Sequence, residues 1–280
     1  MLVSIIIVNY NTFTITCNCI RSVKEHTRDV SYEIILVDNA STKDNADEFL
    51  EVFPDIKLVK SPYNGGFANG NNLGVEHARG DVILLLNSDT ILTEDSISTC
   101  SKFLQQDDSL GAISPSLVYE DGKYQHNARA FRSLRNEFLD VLRPFLMFMP
   151  YRKRAVLMLN QYFNGDFDTS CDWVSGAFFM FRKSLLGLLP GKKLDERFFM
   201  YGEDQLWCYQ FQQLGYRSFF VSETSVIHIA NASTEPDKQL KLLNTLLQRE
   251  LEIMRYRKGK GIYYFLFAFL LTIKEKARYY

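Results

Sequence analysis

Hydrophobic residues in the N-terminal third fall into short unbroken runs separated by longer mixed stretches. The runs are Ser4 to Asn9 (SIIIVN), Tyr32 to Asp38 (YEIILVD), Ile56 to Lys60 and Val82 to Leu86 (VILLL). Continuous aliphatic runs of this length predict strands buried on both faces. Between them, Thr12 to Glu25, Asp44 to Phe53 and Ala68 to Ala78 predict helices, the second stopped by Pro54. Strand alternating with helix is the pattern of a mostly parallel α/β sheet flanked by helices. Right-handed crossovers in such a sheet bring ligands to the carboxyl ends of the strands.

Further along, residues 110–125 read as strand and turn, and Trp173 to Arg182 as a buried strand with a Gly-Ala interruption. A helix is expected from Gln205 to Leu214, then strands at Tyr216 to Val221 and Ser225 to Ile229. Pro236 to Arg257 predicts a long helix, with Leu240, Leu243, Leu247, Leu251 and Met254 on one face. Phe138 to Leu159 is apolar and basic and is broken by Pro144 and Pro150. It reads either as a helical excursion or as an insertion that faces a membrane.

Three strand ends carry polar residues: Asn9-Tyr10-Asn11, Asp38-Asn39-Ala40-Ser41 and Asn87-Ser88-Asp89. A single acid at a strand tip caps the next helix or holds a divalent cation beside a ligand. Three polar ends, with the turn Asn64-Gly65-Gly66 between them, favour a binding crevice. No G-x-G-x-x-G follows the first strand and no G-x-x-x-x-G-K-[ST] occurs, so neither a dinucleotide Rossmann site nor a P-loop is supported.

Composition adds three constraints. The 280 residues, 46% hydrophobic and 23% charged, suit one large globular domain or two small ones. A net charge of -1 gives no global basic excess for nucleic acid. Five cysteines with no C-x-x-C pair argue against a disulfide framework or a zinc ribbon and fit a reducing cytosol. The opening MLVSIIIVNYN lacks a basic n-region and an A-x-A site, so it is expected to be the first strand and not a signal peptide. No segment reaches the ~18 apolar residues that span a bilayer. The nearest, IYYFLFAFLLTI (Ile262 to Ile273), lies between basic clusters from Arg255 to Lys260 and from Lys274 to Arg278. Such a segment suits a membrane interface, or else a helix docked on the core.

Five blocks taken together resemble the family 2 glycosyltransferases: VSIIIVNYN (3–11), EIILVDNAST (33–42), NGGFANGNNLG (64–74) with GDVILLLNSDT (80–90), DWVSGAFFMFR (172–182) and FFMYGEDQLWC (198–208). A sixth, HIANAS (228–233), is similar to the family's late histidine block. The match is closest to the rhamnosyltransferase-like branch that builds bacterial surface polysaccharide. The resemblance implies a GT-A fold of the α/β class with a C-terminal helical extension. A glycosyltransferase domain would cover 1–234, its nucleotide-binding half about 1–110 and its acceptor-binding half about 111–234. Residues 235–280 would form a helical tail at the membrane interface.

The same resemblance implies an inverting transfer. The donor would be a nucleotide-diphosphate sugar, UDP- or dTDP-linked, such as dTDP-rhamnose. The acceptor would be a saccharide or a lipid-linked saccharide, and the cofactor Mg2+ or Mn2+. Asp38 would accept a hydrogen bond from the imide N–H of the base, with Asn9, Tyr10, Asn11 and Asn39 lining the pocket. Asn64, Gly66, Asn72 and Ser88 would meet the nucleotide and its ribose. Asp89, the last acid of a D-x-D-type motif reduced here to N-S-D, would bind the metal with His228. Asp204 would be the general base, tuned or oriented by Glu203, and Trp173, Ser175 and Gly176 would floor the sugar site. Two positions depart from the family block, Leu206 where an Asp and Gln210 where an Arg often stands. They keep open an inactive, scaffold-like homologue. A nucleotidyltransferase is disfavoured, because no glycine-rich basic loop follows the first strand. The expected location is cytoplasmic, peripheral at the inner face of the cell membrane through residues 255–278, with no nucleic-acid partner.

Overall fold

A computed structural model describes residues 1–229 and 239–279. The start of the helix expected from Pro236, and Ala230 to Ser233 of the histidine block, lie outside the described residues. The chain forms two compact units, Met1–Arg129 with Gly165–Thr234, and Ala130–Asn164 with Glu235–Tyr280. The sequence reading placed 130–164 in the acceptor-binding half; in the structure these residues group with the C-terminal helices.

The first unit begins β1 (Leu2–Asn9), α1 (Phe13–His26), β2 (Ser31–Asp38), α2 (Glu48–Val52), β3 (Lys57–Lys60), α3 (Gly66–Glu76) and β4 (Val82–Asn87). It continues with β5 (Thr90–Leu92), α4 (Ser96–Gln106), β6 (Leu110–Val118), β7 (Tyr124–Gln125) and β8 (Ala128–Arg129). Four helices of the second unit follow: α5 (Leu134–Val141), α6 (Arg143–Leu146), α7 (Tyr151–Leu157) and α8 (Leu159–Tyr162). The first unit resumes with β9 (Thr169–Cys171), β10 (Trp173–Val174), β11 (Phe178–Arg182), α9 (Glu203–Gln213) and β12 (Arg217–His228). The second closes with α10 (Gln239–Lys258) and α11 (Ile262–Tyr279).

The main sheet runs β3-β2-β1-β4-β11-β6-β12-β5, with β7 and β9 attached to β6 and β12. Strands β1 to β4 are mutually parallel, while β11 lies antiparallel to β4 and β5 antiparallel to β12. The sheet is therefore mixed and mostly parallel. Its aliphatic runs fill two cores, because successive strand side chains point to opposite faces. Ile5, Ile7, Leu84 and Leu86 pack with Cys17, Ile20 and Val23 of α1 and Ile97 and Leu104 of α4. Ile6, Val37, Ile83 and Leu85 pack with Ala68 and Val75 of α3 and Trp207 and Phe211 of α9. Each such aliphatic side chain, once buried, contributes about 1.5–3 kcal/mol.

Three elements differ from expectation. The helix expected from Asp44 is only Glu48–Val52, because Asp44 accepts the Phe13 N–H at 3.1 Å and Asn45 accepts the Asp47 N–H at 3.1 Å. Such side-chain bonds compete with helix formation. The strand expected from Trp173 to Arg182 is broken into β10 and β11, which belong to different sheets. The two strands expected near 216–229 are one strand whose register shifts between Val221 and Ser225.

Within the second unit, Phe267 and Leu271 of α11 pack on Met254 of α10, with Leu134, Tyr263 and Tyr264 around them. The Leu134 N–H donates to the Tyr263 hydroxyl at 3.0 Å, and Lys274 pairs with Glu137 at 2.8 Å and with Asp140. Among the described residues no helix is long and apolar enough to cross a membrane.

Candidate active site

The sheet register places the three polar strand ends side by side. Asn9 of β1 faces Asp38 of β2, and Val8 of β1 faces Asn87 of β4. Parallel strands with helical crossovers all end at one edge, so the three tips form one ledge.

Side-chain bonds stitch the first two tips together. Asn9 is fully buried; its amide donates to Asp38 at 2.9 Å and Ser41 at 3.1 Å, and its oxygen accepts from Thr12 and Thr16. The other Asp38 oxygen accepts the Ser41 N–H at 3.1 Å. A carboxylate offers about four lone-pair sites, so two bonds leave acceptor capacity on Asp38. Asn11 and Ala40 adopt φ of 57° and 60°. The Asn11 side chain takes the Thr42 and Lys43 N–H groups at 2.8 and 2.9 Å. Non-glycine residues in this left-handed region cost on the order of 1 kcal/mol each and cluster at ligand sites. Tyr10, at the tip itself, is 43% exposed.

Asn39 carries the stitching onward. Its amide donates to Asn64 at 2.9 Å and to the Gly66 carbonyl at 3.2 Å, and Asn64 accepts the Gly66 N–H at 3.0 Å. Gly66 has φ of 83°, and a Cβ there would stand 2.2 Å from the Phe199 carbonyl oxygen. Only glycine allows this approach, which ties the turn to the loop ahead of α9 through the Phe67 N–H to Phe199 oxygen bond of 2.9 Å. Gly66→Ala is expected to lower stability by at least about 2 kcal/mol, measurable as a reduced denaturation midpoint. Asn72 does not join this group. It is buried, and its amide and oxygen are engaged by Leu194 and Glu196 at 2.8–3.1 Å. It locks α3 to the 194–196 loop, where the sequence reading had it facing the nucleotide.

The N-S-D tip meets the far end of β12. Thr90 pairs with His228, and the Asp89 carbonyl accepts the Ile229 N–H at 3.0 Å. This brings Asp89 Oδ1 within 3.4 Å of His228 Nε2, with the Asn87 amide 3.3 Å from the same nitrogen. Gln125 orients the ring. Its NH2 donates to the His228 and Val118 carbonyls, which turns its oxygen toward His228 Nδ1 at 2.8 Å. Nδ1 is then the N–H donor, and the Nε2 lone pair faces Asp89. Metal-binding histidines are fixed by such an outer bond. One carboxylate and one imidazole, held 3.4 Å apart, fit a divalent cation that takes its other oxygens from a ligand and water. Among the described residues no group of three His, Cys, Asp or Glu side chains forms a fuller cage. Ser88 lies beside this pair, partly buried.

The acids of the 198–208 block sit at the N-terminus of α9. Tyr201 and Gly202 both have positive φ, 69° and 88°, and turn the chain into the helix. Asp204 Oδ1 accepts the Gln205 N–H at 2.8 Å, and Oδ2 accepts the Gly176 N–H at 2.9 Å. The next residue, Ala177, accepts the Asn87 N–H at 3.0 Å. Two neighbouring peptides thus connect the N-S-D tip to Asp204. Burial pushes the Asp204 carboxyl above the usual aspartate range, while the Gly176 and Gln205 amides and the Arg129 charge pull the other way. Glu203 is buried. Ser175 donates its N–H to the Asn127 carbonyl at 3.1 Å, and its hydroxyl accepts from Ala177. Trp173, partly buried, carries the Arg129 guanidinium 5.2 Å above its ring.

Leu206 is fully buried, and Gln210 donates to Asp195 at 3.1 Å. Neither places a charge in the crevice. Two residues of the site were not singled out from the sequence. Gln125 and Arg129 lie on strands of two residues, too short to show a period. The Asp121-Gly122 turn ahead of them was the only local signal.

The architecture is that of the GT-A glycosyltransferases. A mannosyltransferase from Pyrobaculum calidifontis, solved with GDP-Man and Mn2+, superposes with a TM-score of 0.62 at 17% identity, over 97% of this chain and 68% of that one. Staphylococcus aureus TarS 1–349 gives 0.55 at 17% identity, over 91% and 73%. The model of glycosyl transferase family 2 matches residues 4–186, and the chain belongs to that family. Its relatives include glycosyltransferase GlyG of Streptococcus pneumoniae, 31% identical over 43% of this chain and 40% of the relative's length. They also include two rhamnosyltransferases, each 26% identical. One is the N-acetylglucosaminyl-diphospho-decaprenol L-rhamnosyltransferase of Mycobacterium tuberculosis, matched over 73% of this chain and 68% of its own. The other is WbbL of Escherichia coli, matched over 72% and 75%.

Proposed function

We propose that the protein transfers a sugar, with inversion, from a UDP- or dTDP-linked donor to a hydroxyl of a saccharide or lipid-linked saccharide in cell-surface polysaccharide synthesis. dTDP-rhamnose is the donor favoured by the two rhamnosyltransferase relatives. The observation that carries this reading is the meeting of three groups on one ledge: the Asn9–Asp38 pair, the Asp89–His228 pair, and Asp204 tethered through Gly176.

Asp38 takes the imide N–H of the base with its remaining acceptor capacity, and the exposed Tyr10 ring packs on the base. Asn64 and Gly66 shape the turn beside the nucleotide, and Ser88 meets the ribose. Asp89 and His228 hold Mg2+ or Mn2+, which when bound neutralises charge on the leaving diphosphate. Asp204 removes the proton of the acceptor hydroxyl as the anomeric carbon gains oxocarbenium character. Its anchors, two backbone N–H groups, fix its direction without occupying all its lone pairs. The Trp173 face, with Ser175 and Gly176, floors the sugar. Arg129, which the sequence reading passed over, supplies the cation that Gln210 does not. The enzyme works at the inner face of the membrane, in contact through 255–278.

The test is a thermal-shift series with UDP, dTDP and GDP, each with and without Mn2+. Binding at 100 times Kd stabilises by about 2.7 kcal/mol, so a metal-dependent rise with UDP or dTDP is expected. A rise with GDP alone overturns the pyrimidine donor. No rise with any nucleotide overturns the enzymatic reading in favour of a scaffold.

A further inference from the structure

The overall net charge of -1 conceals a segregation. Residues 130–164 and 235–280 hold 16 Lys and Arg against 7 Asp and Glu, a net +9. The rest of the chain holds 16 against 26, a net -10.

The basic unit also concentrates exposed apolar side chains. It contains 14 of the 24 large hydrophobics that are exposed among the described residues. Two groups stand out among them. In α11, Tyr263, Tyr264, Phe267 and Leu271 face inward to α10 and α5. Ile262, Phe265, Phe269 and Ile273, exposed by 82, 55, 63 and 50%, recur every three to four residues on another face. The second group runs from the end of α5 past α6: Val141 is 76% exposed, Phe145 70% and Phe148 89%. Such exposure is far beyond scattered surface hydrophobes and marks an interaction surface.

Charge is arranged to match. The two acids of 130–164, Glu137 and Asp140, both pair with Lys274. Exposed cations flank the apolar groups, Arg152 and Lys153 beside Val156, and Arg255, Lys258 and Lys260 ahead of Ile262. Apolar side chains rimmed by cations, on helices not long and apolar enough to cross, match an anionic lipid surface and its acyl boundary.

We propose that the basic unit docks on anionic phospholipid through two segments, the α5–α7 region around Phe145 and Phe148 and the outer face of α11. This deepens the contact proposed for 255–278 and rests on that reading, but not on the roles of the sugar-transfer residues. Both segments contribute, since interfacial binding scales with the apolar area buried and with attraction to anionic lipid.

The experiment is co-sedimentation of the full chain with phosphatidylcholine vesicles, with and without phosphatidylglycerol. The phosphatidylglycerol vesicles should bind at least about tenfold more tightly, and salt should weaken the binding. F145S/F148S and F265S/F269S should each lower vesicle affinity about tenfold or more, while the nucleotide thermal shift stays as in the parent. Equal binding of both vesicle types overturns the proposal. So does full binding by F145S/F148S. A chain that ignores vesicles but sediments as a dimer, and becomes monomeric in F145S/F148S, overturns it in favour of self-association. Loss of the nucleotide shift in the parent chain, with vesicle binding intact, refutes the enzymatic reading and leaves this one standing.

Discussion

Replacing Asp204 with asparagine is expected to cut kcat by about 10^2 to 10^4, the range a positioned general base supplies. The substitution keeps size and an oxygen acceptor for one of the Gly176 and Gln205 N–H groups, which bond to different Asp204 oxygens, and sets an NH2 against the other. UDP or dTDP binding, which the proposal assigns to Asp38 and the β1 and β2 tips, should persist. The parent enzyme's pH profile carries a second expectation. A base works when deprotonated, and burial holds this carboxyl above the usual aspartate range. Activity should therefore fall on the acid side at a pH higher than an ordinary aspartate would give. Removing the Arg129 charge, as in Arg129→Gln, should move that limb higher still, because Arg129 favours the ionised form. Steady-state rates of the three proteins across pH check both points. Undiminished turnover in Asp204→Asn would exclude this residue as the base.

Asp89→Ala is expected to lower kcat at least about a hundredfold, since charge stabilisation on a leaving diphosphate is worth several kcal/mol. The variant should also lose the Mn2+-dependent part of nucleotide stabilisation while keeping the metal-independent part, which belongs to Asp38 and the β1 and β2 tips. Gln125→Ala acts on the same centre from behind. With the Nδ1 partner gone, the His228 ring is free to turn, and outer ligands of this kind typically cost about 10- to 100-fold in metal affinity. Mn2+ titrations of nucleotide binding measure all three proteins. A full Mn2+ response in Asp89→Ala would move the metal elsewhere.

The strands were legible because each is an aliphatic run with no competing interpretation: Ile5 to Val8 and Val82 to Leu86 could hardly be anything but buried sheet. Right-handed crossovers brought their carboxyl ends, and with them Asn9, Asp38 and Asn87, to one edge, while the order β3-β2-β1-β4 is read from the structure. What the sequence hid has physical reasons. The clamp that presents His228 to Asp89 depends on β5, three residues long, paired across 138 positions of chain at Thr90 and His228. No local pattern announces so short a strand. Asn72 stands on the helix that the glycine-rich turn opens, yet its amide is drawn off by Leu194 and Glu196, 122 and 124 residues away. The charge segregation vanished in the global sum, because 130–164 and 235–280 are separated in sequence and their excess cancels against the rest.

The division of each central strand between two cores bears on how such enzymes diversify. Every hydrophobic residue from Val3 to Ile7 and from Val82 to Leu86 is locked in packing on one face or the other. Drift there is costly, whereas Tyr10, Ala40 to Lys43, Ser88 and Phe199 to Tyr201 stand beyond the last packed layer. On the proposed function, substitutions at those tips would alter what the ledge recognises and leave the two cores untouched. Lineages built on this frame can therefore exchange one donor or acceptor for another by small steps, each passing through a folded ancestor.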